Sequence, residues 1–192
     1  MNTTMKTRGF SLIEVLVSII VIAVGLLGLA KMQALSIANT QVSGGRSLIA
    51  LQAASFASNM HSNKGYWQVT STTTTPLNAP CTTACTFIGA STITDANNVL
   101  TSPPAAASCT VATPCTSGKI AALDVQTWMT NIYQQVPTYS GTVTCTNSTT
   151  TPTNCTIKLT WVEKSIGMNN TTASLMAAQG IQTQSYYLYV QP

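Results

Sequence analysis

Charge is scarce in this chain. Lys and Arg number 8 and Asp and Glu 4 in 192 residues, 6% together, against roughly 25% in ordinary soluble proteins. The four acids are Glu14, Asp95, Asp124 and Glu163, and His61 is the single histidine. Proton-transfer groups so few and so far apart give no convincing catalytic site, and no Gly-rich phosphate loop or nucleophile elbow occurs. The chain reads as a non-enzyme with no cofactor. The net charge of +4 is scattered, with no cluster beyond Lys6 and Arg8, which argues against nucleic acid bound through a basic patch. Proline is absent before Pro76 and cysteine before Cys81. The first absence leaves nothing to break a long N-terminal helix. The second confines covalent cross-linking to the later part of the chain.

Low charge with 45% hydrophobic residues fits a membrane protein, yet only one segment has spanning length. The stretch KTRGFSLIEVLVSIIVIAVGLLGLAK covers residues 6–31. From Phe10 to Ala30 its only charge is Glu14, and about 20 apolar residues cross a bilayer core. The helical pattern continues beyond it. Leu35, Ala38, Val42, Gly45, Ile49, Ala53, Phe56 and Met60 recur at spacings of three and four and form a one-sided stripe. A single helix is expected from about Phe10 to Asn63, roughly 80 Å long at 1.5 Å per residue. Gly44 and Gly45 each weaken it by about 1 kcal/mol relative to alanine, which makes that turn the expected bend. More than half of the helix must stand outside a bilayer with its stripe covered. The expected division is residues 1–9 as a basic leader, 10–30 as the membrane half of the helix and 31–63 as its amphipathic half.

Residues 64–118 read as a loop-dominated region rich in Thr, Pro and Cys. Residues 119–192 supply the regular elements of a head. In KIAALDVQTWMTNIYQQV, Ala121, Val125, Trp128, Ile132 and Val136 share one face of a second helix that Pro137 ends. GTVTC and CTIKLTWVE alternate in period two, with Cys155, Ile157, Leu159 and Trp161 on one side, and SYYLYVQP is a third strand. Trp67, Trp128 and Trp161 read as core. Three short strands are not stable alone, so they should pack over the outer half of the long helix. The fold class is α+β, with one long N-terminal helix against a small antiparallel sheet.

Six cysteines, Cys81, Cys85, Cys109, Cys115, Cys145 and Cys155, follow the apolar segment. An even number behind an export-type segment indicates disulfides in an oxidising compartment. A bridge between Cys145 and Cys155 would close the strand hairpin and contribute about 3 kcal/mol by loop entropy. The pairing of the other four stays open. A zinc site from Cys81, Cys85, Cys109 and Cys115 is the weaker reading, since their spacings miss the two-residue knuckle. No metal is expected.

Ser11-Leu12-Ile13-Glu14 fits a capping box, and an acid in a first turn suits the helix dipole by about 0.3–1 kcal/mol. Neither accounts for an acid inside a span, where a mid-membrane charge costs about 2.5–3.5 kcal/mol. The next basic residue is Lys31, so the partner of Glu14 should come from another chain.

RGFSLIEVLVSIIVIAVGLLGLAKMQ resembles the class III signal of type IV prepilins and pseudopilins. The resemblance implies cleavage between Gly9 and Phe10 by a membrane-bound prepilin peptidase, and N-methylation of Phe10. It also implies an assembly role for Glu14, the fifth mature residue, opposite the α-amine of a neighbouring subunit. GLLGLAKMQ, LDVQTW, GTVTC and CTIKLTW are similar to minor pilins of the PilV type, the type IV pilus modification proteins. The partners implied are major and minor pilins through the N-terminal helix. The location implied is the bacterial inner membrane with a periplasmic head, then the pilus at the cell surface. The function implied is incorporation into a pilus or priming of its assembly, in support of twitching motility, adhesion or DNA uptake. A minor pseudopilin of type II secretion shares the N-terminal motif, and a surface-presented adhesin head is the reading from a different class. Gly28-Leu29-Ala30 also offers a signal-peptidase site, but the apolar run before it is too long and contains an acid.

Overall fold

The computed structural model describes residues 11–68, 80–104, 109–110, 113–146, 152–163 and 182–192. Residue contacts divide the chain after Gln41 into two units, 1–41 and 42–192. Helix α1, Leu12–Ser62, runs through both. Its first bonds, from the Glu14 and Val15 amides to the Ser11 carbonyl at 3.0 and 3.4 Å, set the start of the helix. Helical structure continues through Gly44 and Gly45, where a Cβ would meet nothing within 4 Å.

In the first unit the described residues are Ser11 and the first part of α1, and residues 11–34 are all exposed. Among the described residues α1 is the one helix long and apolar enough to cross a membrane.

The second unit has a core. Beyond Val42 the stripe on α1 sinks progressively: Val42 and Gly45 are half-buried, whereas Ile49, Ala53, Phe56 and Met60 are buried. Asn63 ends α1 and turns the chain into α2, Lys64–Trp67. Its side-chain amide donates to the Ser117 carbonyl at 2.8 Å, which pins the turn to the start of α3, Ser117–Gln135. The Thr116 hydroxyl caps α3 by accepting from the Lys119 amide, and Pro137 follows its last turn. Ala121, Val125, Trp128 and Ile132 lie on its buried face, joined by Ala122 and Met129.

The sheet has five antiparallel strands in the order β2-β1-β3-β4-β5: β1 Cys85–Ile88, β2 Thr92–Thr94, β3 Ser140–Cys145, β4 Cys155–Glu163 and β5 Gln182–Val190. Its inner face is apolar, with Phe87, Val143, Ile157, Leu159 and Trp161 buried, while Thr86, Thr142, Thr156, Lys158 and Tyr187 point outward. Trp67, Trp128 and Trp161 are all buried. Phe56 of α1 is the centre of the aromatic packing, its ring centroid 4.7 Å from Trp128, 5.8 Å from Trp67 and 5.9 Å from Phe87.

The structure departs from the sequence reading at residues 64–118, read as loop-dominated. This region supplies α2, β1 and β2, so among the described residues the sheet has five strands rather than three. β1 places only Cys85 and Phe87 inward, too few for a period-two signal, and its ladder partner β3 lies more than 50 residues on. The β1–β2 hairpin turns at Gly89, whose φ of +62° suits glycine, and the Tyr139 hydroxyl donates to the Gly89 carbonyl at 2.8 Å.

Phe56→Ala should cost about 3–5 kcal/mol, the usual loss for emptying an aromatic core position. At Gly141 an added Cβ would sit 3.3 Å from Leu159 Cδ2 and 3.4 Å from Phe87 Cδ2, so Gly141→Ala should cost about 1–3 kcal/mol through overpacking. Urea unfolding of the detergent-solubilised chain, followed by tryptophan fluorescence, measures both.

Candidate functional site

The candidate site is the start of α1. Gly9 and Phe10 lie outside the described residues. Glu14 sits one turn inside the helix and is exposed. Its backbone carbonyl accepts from the Ser18 hydroxyl at 2.7 Å. Among the described residues neither the Ser11 hydroxyl nor the Glu14 carboxylate makes the reciprocal bonds of a capping box, and the carboxylate has no hydrogen-bond or ion-pair partner. Apart from Ser11 and Ser18 the helix around it is apolar: Leu12 is 80% and Ile13 69% exposed. Such a surface needs lipid or protein around it. Among the described residues the site therefore offers one unpaired carboxylate on a rod of exposed apolar side chains, an arrangement suited to association.

In the second unit the charged residues are placed differently. Glu163 ends β4 with its side chain only 12% exposed, and Arg46 of α1 grips it at both oxygens, Nε to Oε1 and Nη2 to Oε2, each at 2.8 Å. Trp161 Nε1 donates to Oε1 at 3.2 Å. This fork ties α1 to the far end of the central hairpin. The Arg46 hydrogen bond holds the Glu163 carboxyl below the ordinary value of 4.5 against the opposing effect of burial, with the Arg46 charge and the Trp161 bond adding to it. Asp95, 5% exposed, organises the loop after β2: its oxygens accept from the amides of Asn97, Val99 and Leu100 at 3.1, 2.9 and 3.1 Å. Asp124 lies half-buried on α3, and burial pushes its carboxyl up. Burial also pushes the Tyr66 and Tyr139 phenols up, with the Asp95 charge adding at Tyr66. These acids are dispersed, and none of them shares a site with another.

The six cysteines form three bonds, Cys81–Cys85, Cys109–Cys115 and Cys145–Cys155, with Cα separations of 5.0, 5.2 and 4.0 Å. Cys145 and Cys155 face each other in the β3–β4 ladder, and the Cys145 amide donates to the Cys81 carbonyl at 3.0 Å. Of the tyrosines on β5, Tyr186 packs against the core, while Tyr187 and Tyr189 are 51% and 78% exposed. Lys158 sits over the Tyr187 ring, 5.5 Å from its centroid. Sequence reasoning missed the Arg46–Glu163 fork and the Asp95 loop. Partners 117 residues apart leave no local signal, although an acid two residues before an amide-rich turn (Asp95-Ala96-Asn97-Asn98) is a recognisable Asx-type pattern.

Residues 4–30 match the family model of the prokaryotic N-terminal methylation motif. No curated protein and no solved structure matches the chain. The motif is a prepilin-type signal. With the long N-terminal helix, the antiparallel sheet and the disulfides of the second unit, it supports a structural protein of the pilin or pseudopilin type.

Because the Glu163 carboxyl is depressed in the folded state, its stabilisation is present above pH 4.5 and is lost as pH falls through the folded value. Glu163→Gln should therefore lower the Tm at pH 7, and the gap to the parent should close in acid. Thermal unfolding scanned from pH 7 to pH 3 checks this. A gap independent of pH would show that Arg46 contributes through packing alone.

Proposed function

We propose that the chain is a minor type IV pilin of the PilV type, cleaved by a prepilin peptidase and built into, or priming, a type IV pilus. The observation that carries this reading is Glu14, a carboxylate without a described partner on a helix whose apolar side chains are uncovered, inside a methylation motif. Cleavage between Gly9 and Phe10 would create a positive α-amine four residues before that carboxylate. The amine of one subunit would meet the Glu14 carboxylate of the next within an apolar helix bundle. The low dielectric there strengthens the attraction, and a single pair suffices to set axial register between smooth apolar rods. Before assembly the same segment would lie in the inner membrane with the head in the periplasm. The PilV-type assignment is supported by the likeness of GLLGLAKMQ, LDVQTW, GTVTC and CTIKLTW to that group. Through the pilus the protein would serve motility, adhesion or DNA uptake.

The mature N terminus should be a methylated Phe10. A start at Lys31, or retention of Met1, would remove the prepilin reading; intact-mass analysis decides. Glu14→Gln separates pairing from capping. Gln keeps the size and can still accept from a backbone amide, so a mere cap would assemble almost normally. If the charge is needed, Gln leaves a neighbour's ammonium unpaired in an apolar bundle, a loss of about 3–5 kcal/mol. The variant should then be cleaved yet remain in the membrane fraction. Immunoblots of sheared fibres and membranes measure this, and parental amounts of the Gln variant in fibres would reduce Glu14 to a helix cap.

A further inference from the structure

The three disulfides join the first cysteine to the second, the third to the fourth and the fifth to the sixth, at separations of 4, 6 and 10 residues. No loop encloses another. Two of the bonds nevertheless finish side by side. Cys85 pairs with Val143 across the β1–β3 ladder, and Cys145 lies two residues further along the same inner face. Cys145 is also bonded through its amide to the Cys81 carbonyl. A folded head with free thiols would also bring a wrong pair near each other, with Cys85 and Cys145 diagonal across the ladder at about 7–8 Å. Correction after folding is blocked as well, because Cys81, Cys85, Cys145 and Cys155 are 4% exposed or less and exchange requires access to a sulfur. The pairs formed first must therefore be the right ones.

Chain order supplies that selection. By the three-halves power of loop length, closing 4 residues is about 60-fold more probable than closing the roughly 60 residues of a crossed pair with Cys145, and closing 10 is about 15-fold more probable. Emergence from the membrane sharpens the choice, since Cys81 and Cys85 are presented together long before Cys145.

We propose that the head is matured by a protein thiol oxidant alone, its bonds closing one after another in chain order, and that it needs no disulfide isomerase. The inference rests on the pilin reading for its oxidising compartment. At each step one cysteine thiolate attacks the oxidant's disulfide, which breaks, giving a mixed disulfide and one oxidant thiol. The neighbouring thiolate then attacks the mixed disulfide, forming the head's bond and releasing the oxidant's second thiol. Two head thiols are oxidised, one oxidant disulfide is reduced, and both protons end on the oxidant.

The test is to produce the full chain in parental, oxidant-deficient and isomerase-deficient cells, and to map its linkages by mass spectrometry of non-reduced digests. The N-terminal peptide is read in the same digests. Without the isomerase the three linkages should be at parental occupancy; without the oxidant, free thiols should accumulate at all three pairs. A crossed peptide such as Cys85–Cys145 in isomerase-deficient cells would overturn the proposal, as would parental bonding in oxidant-deficient cells. The two readings fail separately. Crossed pairs on a chain beginning at Phe10 remove this inference and leave the pilin reading, whereas correct pairs on a chain with any other N terminus do the reverse.

Discussion

The burial of one helical stripe, Ile49 to Met60, under a sheet assembled from distant strands is the constraint on which the second unit depends. The sheet could not stand alone, since a few short strands with one apolar face expose that face to water. α1 supplies the cover from Ile49 to Met60, and Phe56 within that stretch touches aromatic rings from α2, α3 and β1. Backbone polarity is satisfied at the same seam: Trp128 Nε1 donates to the Gln52 carbonyl at 2.9 Å, and the Gln52 side chain reaches Gln135 at 3.1 Å. The helix is thus both the axis and the lid of the core.

Scarce charge changes what each charge is for. A surface of Thr, Ser, Asn and Gln solvates the head with little charge, so the few acids take structural positions where neutral groups would be weaker. Asp95 gathers three backbone amides that a loop would otherwise leave unpaired, and hydrogen bonds to a charged acceptor contribute about 1.5–3 kcal/mol each. Glu163 accepts three donors at a strand end. Both are held by hydrogen bonds in fixed directions, which is why they specify geometry as well as adding stability.

How much of this was legible follows from the range of each interaction. The α1 stripe, the apolar face of α3 and the alternation of β4 are periodic over nine residues or more, and the pattern on each placed its core side. β1 and β2, four and three residues long, fall below the length at which alternation is informative, and only their pairing with each other and that of β1 with β3 makes them strands. The pairing of the early cysteines was equally silent: spacings of 4 and 6 fit several connectivities, and only the folded chain shows Cys81 joined to Cys85 and Cys109 to Cys115. The Arg46–Glu163 fork joins residues that share nothing in sequence except opposite sign.

Glu14 is the opposite case, legible in sequence because nothing nearby accounts for it. Asp124 also lacks a described partner, but it lies half-buried on a helix of the head, where water can reach it. Apart from Ser11 and Ser18 the residues around Glu14 are apolar, and a run of that length would exclude water from the phase it occupies. A capping role would require the carboxylate to fold back on the Ser11 amide, and among the described residues it makes no such bond. An ionised group in such a place is stable only when a counter-charge is brought to it, and the nearest basic side chain within the helix, Lys31, is about five turns away. The head meets its own requirement for covering surface from within the chain. Among the described residues the N-terminal half of α1 meets neither its apolar nor its electrostatic requirement that way, and in the proposed assembly packing beside copies or relatives of itself would meet both at once.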